Sequence, residues 1–212
     1  MELLYHTLIT CKAVGDRFDP AALAQIICAN HRQDGILNQL RGCLHFDNRI
    51  ADGLAYLETQ HAQIEALASG QGAGESLRAA FGRLAHTAQD FYAHTNYARL
   101  WLARNGGLGE TSADDIDALD VDLVAHPELR TGSFMLWRDW VYYVPLVKHL
   151  IRRLYVPSGS HEEMHLDSPD RGPEFPYVFA AARQRTQHEY QRAAGAILRA
   201  GGENALDRFH HT

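Results

Sequence analysis

His86, Asp90 and His94 stand four residues apart, and each carries a group able to hold a metal ion. They fall within Phe81 to Leu102 (FGRLAHTAQDFYAHTNYARLWL), which reads as one helix. Apolar residues recur there at three- and four-residue steps (Leu84, Phe91, Tyr92, Leu100), and no proline interrupts them. Four steps of about 100° return to nearly the same azimuth, so the three share a face. At about 1.5 Å rise per residue, His86 and Asp90 are roughly 6 Å apart along the axis, and His86 and His94 about 12 Å. Two imidazoles that far apart do not easily ligate one ion. A carboxylate midway between them can serve or bridge neighbouring ions. The spacing therefore points to more than one metal ion, with Asp90 central.

Away from this helix the candidate ligands are His6, Asp34, His45 and His161, with His165 and Asp167 nearby. Each lies at or near an element boundary, where a side chain can point into a shared cleft. Imidazole and carboxylate ligands without a thiolate suit zinc, and also manganese or iron. His61, His149 and His188 sit in helical segments without a partner cluster and read as surface or core. Phe46, Phe91, Tyr92 and Tyr97 read as core rather than as walls of a cleft. Gln89 and Asn48 read as polar residues facing solvent rather than as groups that orient ligands.

The elements that must position these residues are helical. Leu3 to Val14 is a short apolar run whose composition alone also allows a strand. Asp19-Pro20 starts a helix, with Asp19 as N-cap and Pro20 in the first position, running to about Arg32 with Leu23, Ile26 and Ile27 on its apolar face. A long amphipathic helix covers about Ile50 to Ala68, and Ser69 to Gly74 is a turn. The central helix is expected from about Glu75 to the stop at Asn105-Gly106-Gly107. Gly109 to Asp122 is acidic and lacks the spacing of a calcium loop, so its aspartates read as caps in a solvated loop. Phe134 to Tyr155 reads as a helix kinked at Pro145. Pro157 to Pro176 is a long polar loop, and loops of that length are often functional. A last helix is expected from about Pro176 to Ala200, stopping at Gly201-Gly202. The expected class is all-α: one domain over residues 1–212, a compact multi-helix bundle around a multinuclear metal cluster.

Composition narrows the function classes. The chain has 212 residues, 46% hydrophobic and 22% charged, as in ordinary globular proteins. A net charge of −6 disfavours a mainly electrostatic nucleic-acid binder. Cys11, Cys28 and Cys43 form no CxxC pair and are expected as reduced, buried thiols. His210 and His211 are expected to be frayed. MELLYHTLIT lacks the features of a secretory signal, and no stretch has the roughly 18 apolar residues of a membrane span. The expected localisation is cytoplasmic as written, with export by a route without such a signal and peripheral membrane contact left open.

The string His86-Thr87-Ala88-Gln89-Asp90-Phe91-Tyr92-Ala93-His94-Thr95-Asn96 resembles the signature helix of fungal heterokaryon-incompatibility C-type (Het-C-like) proteins. These in turn resemble the zinc-dependent phospholipase C and single-strand nuclease superfamily. Further matches follow in family order: His6 before Ile9-Thr10, Ala29-Asn30 with Asp34, His45-Phe46-Asp47-Asn48, and His161-x-x-Met164-x-x-Asp167-Ser168-Pro169. The resemblance implies a compact helical fold around three zinc ions. By position, Asp34, His45, His86 and Asp90 would hold a pair of ions, completed by His6, while His94 and His161 would hold the third. Two departures stand out. The phospholipase branch uses a mature N-terminal amino group as a ligand, whereas five residues precede His6 here. The late loop has His165-Leu166 where the relatives carry Asn-Lys, so His165 either replaces a missing ligand or faces solvent.

The expected activity is metal-dependent phosphodiester hydrolysis, phospholipase C-like, with two to three zinc ions activating water and Asp34 orienting that water or taking its proton. A phospholipid or small phosphodiester is favoured as substrate over nucleic acid. The alternative is a non-catalytic Het-C-like interaction or toxin-associated module with structural metals. A di-iron carboxylate bundle ranks low, because the central helix carries no Glu-x-x-His motif.

Overall fold

The computed structural model describes residues 1–35, 37–38, 41–70, 73–133 and 160–212, with the side chains of His161 and Glu162 outside the description. The expected helix over 134–155 and its kink at Pro145 lie outside the described residues, as does His149. The described residues form an all-α fold; their only β pairings are isolated bridges. In chain order the helices are α1 (Leu3–Val14), α2 (Pro20–His31), α3 (Gly42–His45), α4 (Ile50–Ser69), α5 (Gly74–His94), α6 (Tyr97–Arg104), α7 (Val121–Val124), α8 (His161–Met164) and α9 (Phe175–His210). No described helix is long and apolar enough to cross a membrane.

The bundle is built around α5, which packs against α2, α4 and α9. Every residue from Leu84 to His94 is buried. A helix enclosed on all sides cannot be amphipathic in the usual sense, and its polar residues must find partners inside the protein. Leu77, Phe81 and Leu84 of α5 meet a core that includes Ile9, Ile26, Leu57, Ile64 and Ile197. Gly82 sets the approach of α2. A Cβ there would lie 2.4 Å from the Ile26 carbonyl oxygen and 2.8 Å from Ala29 Cβ, so only glycine lets the two backbones come this close.

Several local expectations are met, and others change. Asp19 caps α2 by accepting from the Ala22 N–H, with Pro20 in the first position. Ile26 faces inward as expected, but Leu23 and Ile27 are only partly buried. Asp120 caps α7, and Ser112 with Asp115 forms a capping box, so the acidic loop does supply caps. The run Leu3–Val14 is a helix, not a strand: its buried residues His6, Ile9, Thr10 and Ala13 recur at three- and four-residue steps. Cys11 and Cys28 are exposed and Cys43 is half-buried, against the expectation of buried thiols. The last helix does not stop at Gly201-Gly202. It bends at Gly202, whose φ of 69° suits glycine, and continues to His210. Phe209 is fully buried, and the His210 ring packs on Phe18 and bonds the Tyr190 hydroxyl at 2.9 Å, so His210 is not frayed.

The central helix is also shorter than its periodicity suggests. It ends at His94, and α6 starts afresh at Tyr97. Thr95 is extended and bridges to Thr131, while its hydroxyl donates to the Phe91 carbonyl oxygen at 2.6 Å. Asn96 donates to the Glu128 carbonyl oxygen and accepts from the Arg130 N–H at 2.8 Å. Short polar side chains offering such bonds compete with the helix ladder, and here they win. The break leaves His94 at a helix end, beside the 131–133 segment.

Candidate metal centre

Four elements deliver the candidate ligands to one place. α1 brings His6. The 3-10 turn Arg32–Asp34, continuing from α2, brings Asp34. The single-turn α3 ends at His45, and Phe46 caps it with a left-handed φ of 54°. That conformation is unusual for an aromatic residue. It is held by full burial of the Phe46 ring, which packs edge-on to Phe91 at 5.0 Å and over the bare face of Gly53. α5 presents His86, Asp90 and His94 in register. The Thr131 hydroxyl bridges the Phe46 and His94 carbonyl oxygens, tying the α3 and α5 ends together.

Asp90 is the centre of the arrangement, fully buried. Its Oδ2 lies 3.0 Å from His45 Nδ1 and 3.1 Å from His86 Nε2, and its Oδ1 lies 3.3 Å from His6 Nε2. Asp34 faces the same three imidazoles at 3.8 to 4.0 Å, its side chain 21% exposed. Two triads have donor atoms close enough together to share one ion: His6, His86 and Asp90, and Asp34, His45 and His86. His86 Nε2 and His45 Nδ1 are 3.2 Å apart, and the His6 and His86 rings stack at 4.3 Å. Among the described residues, His6 Nε2 and His45 Nε2 are buried without a hydrogen-bond partner.

One helical turn further along α5 lies a second group. His94 Nε2 is 3.0 Å from Asp167 Oδ1. The Met1 amino group donates to Asp90 Oδ1 at 2.8 Å and lies 3.0 Å from Asp167 Oδ1 and 3.3 Å from His94 Nε2. Asp90 therefore sits between the two groups, as the axial spacing requires. His165 stands behind Asp167: its Nδ1 meets Asp167 Oδ2 at 2.6 Å, and its Nε2 meets the Arg171 guanidinium. The carboxylate turned toward His94 is thus that of Asp167. The side chain of His161, the remaining sequence candidate, lies outside the described residues.

The charges reflect this crowding. Burial works against the Asp90 charge, yet the Met1 ammonium beside it outweighs that and holds the carboxyl well below its usual range. Asp167 is held low in the same way by the Met1 ammonium, His165 and His94. Asp34 moves the other way, raised by burial and by the neighbouring Asp90. Burial, with His6 and His45 close by, pushes His86 well below its usual value and keeps it neutral. The Met1 amine loses by burial but gains more from Asp167, Asp90 and Asp34, ending at about 11.

Two groups that matter were misplaced or passed over in the sequence. Gln89, expected to face solvent, is fully buried and meets His6 Nδ1 at 2.5 Å. Asn30 is 1% exposed and meets His86 Nδ1 at 3.2 Å. A sequence signal did exist: Asn30 lies four residues before Asp34, and Gln89 falls between two ligands. Asn48 is exposed, as read. Phe91, Tyr92 and Tyr97 belong to the core.

Residues 1–104 match the family model of the VWA7 N-terminal domain. The match takes in the candidates from His6 to His94 and stops before the 160–167 segment. Neither the curated proteins nor the solved structures give a match to this chain.

Proposed function

We propose that this chain is a metal-dependent phosphodiester hydrolase of the phospholipase C type. The reading rests on one observation: His6, Asp34, His45, His86 and Asp90 converge from four segments while presenting mostly acceptor atoms to one another. Neutral imidazole nitrogens and carboxylate oxygens without thiolates fit zinc, with manganese or iron as the other candidates. Asp34, His45, His86 and Asp90, with His6, would hold a pair of ions. His94 and Asp167, with His161 from the neighbouring segment, would hold a third. Bound divalent ions would neutralise phosphate oxygens and make a water molecule acidic enough to ionise near neutral pH.

The chain's own groups divide the remaining work. Asp90 stays ionised over the whole working range and fixes the spacing between the two groups. Asp34 is the partly exposed carboxylate, and burial beside Asp90 raises its proton affinity. Both properties suit the group that orients an attacking water and accepts its proton. A net charge of −6 favours a small phosphodiester or a phospholipid headgroup over a nucleic-acid strand.

A second reading is a non-catalytic module with structural ions. Elemental analysis of the purified protein, with turnover of a bis-aryl phosphodiester and of phosphatidylcholine before and after chelation, separates the two. A hydrolase holds two to three divalent ions and loses turnover with the chelator. Full metal with no turnover on either substrate favours the module, and no metal at all overturns both.

A further inference from the structure

Behind the candidate ligands runs a line of buried polar groups that no ion would touch. Gln89 accepts at Oε1 from Asn30 Nδ2, 3.2 Å away, and faces His6 Nδ1 with the same atom. Its Nε2 donates to the hydroxyls of Thr10 and Thr186, both at 3.1 Å. Asn30 Oδ1 faces His86 Nδ1. Thr10, Asn30, His6, His86, Gln89 and Thr186 are all 0 or 1% exposed, so bulk water does not reach them.

The direction of this line follows from one end. The Thr186 hydroxyl donates its only proton to the Ala182 carbonyl oxygen, one turn back in α9, at 2.7 Å. It can therefore only accept from Gln89. Gln89 must turn its amide N–H2 toward Thr186, which leaves its oxygen facing His6 and Asn30. Asn30 must then turn its own N–H2 to Gln89 and its oxygen to His86. Each imidazole meets an oxygen at Nδ1 and must carry its proton there.

We propose that Thr186, Gln89 and Asn30 form a relay of positioning residues that fixes His6 and His86 in the Nδ1–H tautomer and turns both Nε2 lone pairs toward Asp34 and Asp90. This deepens the metal-site reading yet stands apart from it, because a tautomer exists with or without an ion. Second partners of this kind commonly change metal affinity by ~10–100-fold. Here the partners of the two ligands are hydrogen-bonded to each other, and their orientation is set by a hydroxyl on a helix that contributes no ligand.

The test is long-range proton–nitrogen NMR of the histidine side chains in metal-stripped protein at about pH 8, where unperturbed imidazoles are neutral. Zinc titrations accompany it. In the wild type, His6 and His86 should show the Nδ1–H pattern. Gln89→Leu should give mixed tautomers at His6 and a zinc affinity lower by ~10–100-fold. Gln89→Glu keeps an acceptor for His6 and Asn30, so it should restore the His6 tautomer. Thr186→Val, which frees the Gln89 amide to turn, should give a smaller shift in the same direction. Circular dichroism identifies any variant that fails to fold, and Thr186→Val carries the test if Gln89→Leu does. Nε2–H tautomers in the wild type overturn the relay, and so do unchanged tautomers in both Gln89→Leu and Thr186→Val. Tautomers that follow the relay in a protein that takes up no zinc sustain the relay and sink the metal site.

Discussion

Two buried polar clusters make opposite demands. Between α4 and α9, Glu189 is fully buried, and both its oxygens are met by donors. Oε2 accepts from His61 Nε2 at 2.5 Å and Arg192 Nη1 at 3.4 Å, and Oε1 accepts from Arg185 Nε at 2.5 Å. In the other cluster, Asp90 faces three imidazole nitrogens, two of which carry no proton under the relay. Among the described residues, the cation within hydrogen-bond distance of Asp90 is the Met1 ammonium. Similar residue types thus build one cluster closed by its own donors and another with an excess of acceptors. Buried acceptors facing one another cost free energy unless something positive lies between them. The first cluster holds helices together, and the second has the makings of a site.

The largest expected effect comes from breaking the open cluster at its centre. Asp90→Asn removes the charge shared by both groups. It should lower zinc affinity by more than the ~100-fold that an outer partner costs, leaving little metal by elemental analysis. Ligand-linked stabilisation would vanish with it, about 3 kcal/mol where free zinc is 100 times its dissociation constant. In thermal melts, a chelator should therefore destabilise the wild type and leave the variant unmoved. Full metal content in Asp90→Asn would remove the contrast between the clusters.

Breaking the closed cluster should cost stability and no metal. Glu189→Gln leaves Arg185 and His61 facing a neutral amide, and a loss of about 3 kcal/mol is expected in chemical unfolding. A pH scan sharpens this. Burial opposes the Glu189 charge, but the His61 hydrogen bond and Arg185 lower its pKa from 4.5 to about 2. A depressed carboxylate stabilises the fold above its unfolded value and loses that contribution as pH falls through the folded one. The wild type should therefore lose up to roughly 3 kcal/mol relative to Glu189→Gln between pH 4.5 and 2. Parallel acid-unfolding curves for the two proteins would show that the pair is not the anchor described.

The open cluster was easier to read in the sequence than the closed one, for a physical reason. His86, Asp90 and His94 lie on one helix, and helical geometry alone converts their spacing into a shared face. His6, Asp34 and His45 added little singly, and their order along the chain drew them in. Glu189 and His61 are 128 residues apart, and no local pattern joins them. Gln89 was read as surface because one polar residue on a helix usually is. Only the enclosure of α5 by three other helices makes it a buried partner. The break at Thr95 was hidden for the same kind of reason: the apolar period runs through it, and the competing bonds come from segment 128–131.

His61→Ala is the smallest and most discriminating change. Sequence alone left His61 without a partner, whereas it is 9% exposed and bonded to Glu189. The substitution removes one charge-assisted donor while Arg185 and Arg192 remain, so about 2 kcal/mol of stability should be lost. Zinc content should not change, because His61 bonds Glu189 and shares no hydrogen bond with a candidate ligand. A variant less stable but fully metallated would show that the two clusters act independently through one rigid helix. A fall in zinc per chain would mean that α4 and α9 hold α5 in register for the site, and the closed cluster would then belong to the function as well as to the fold.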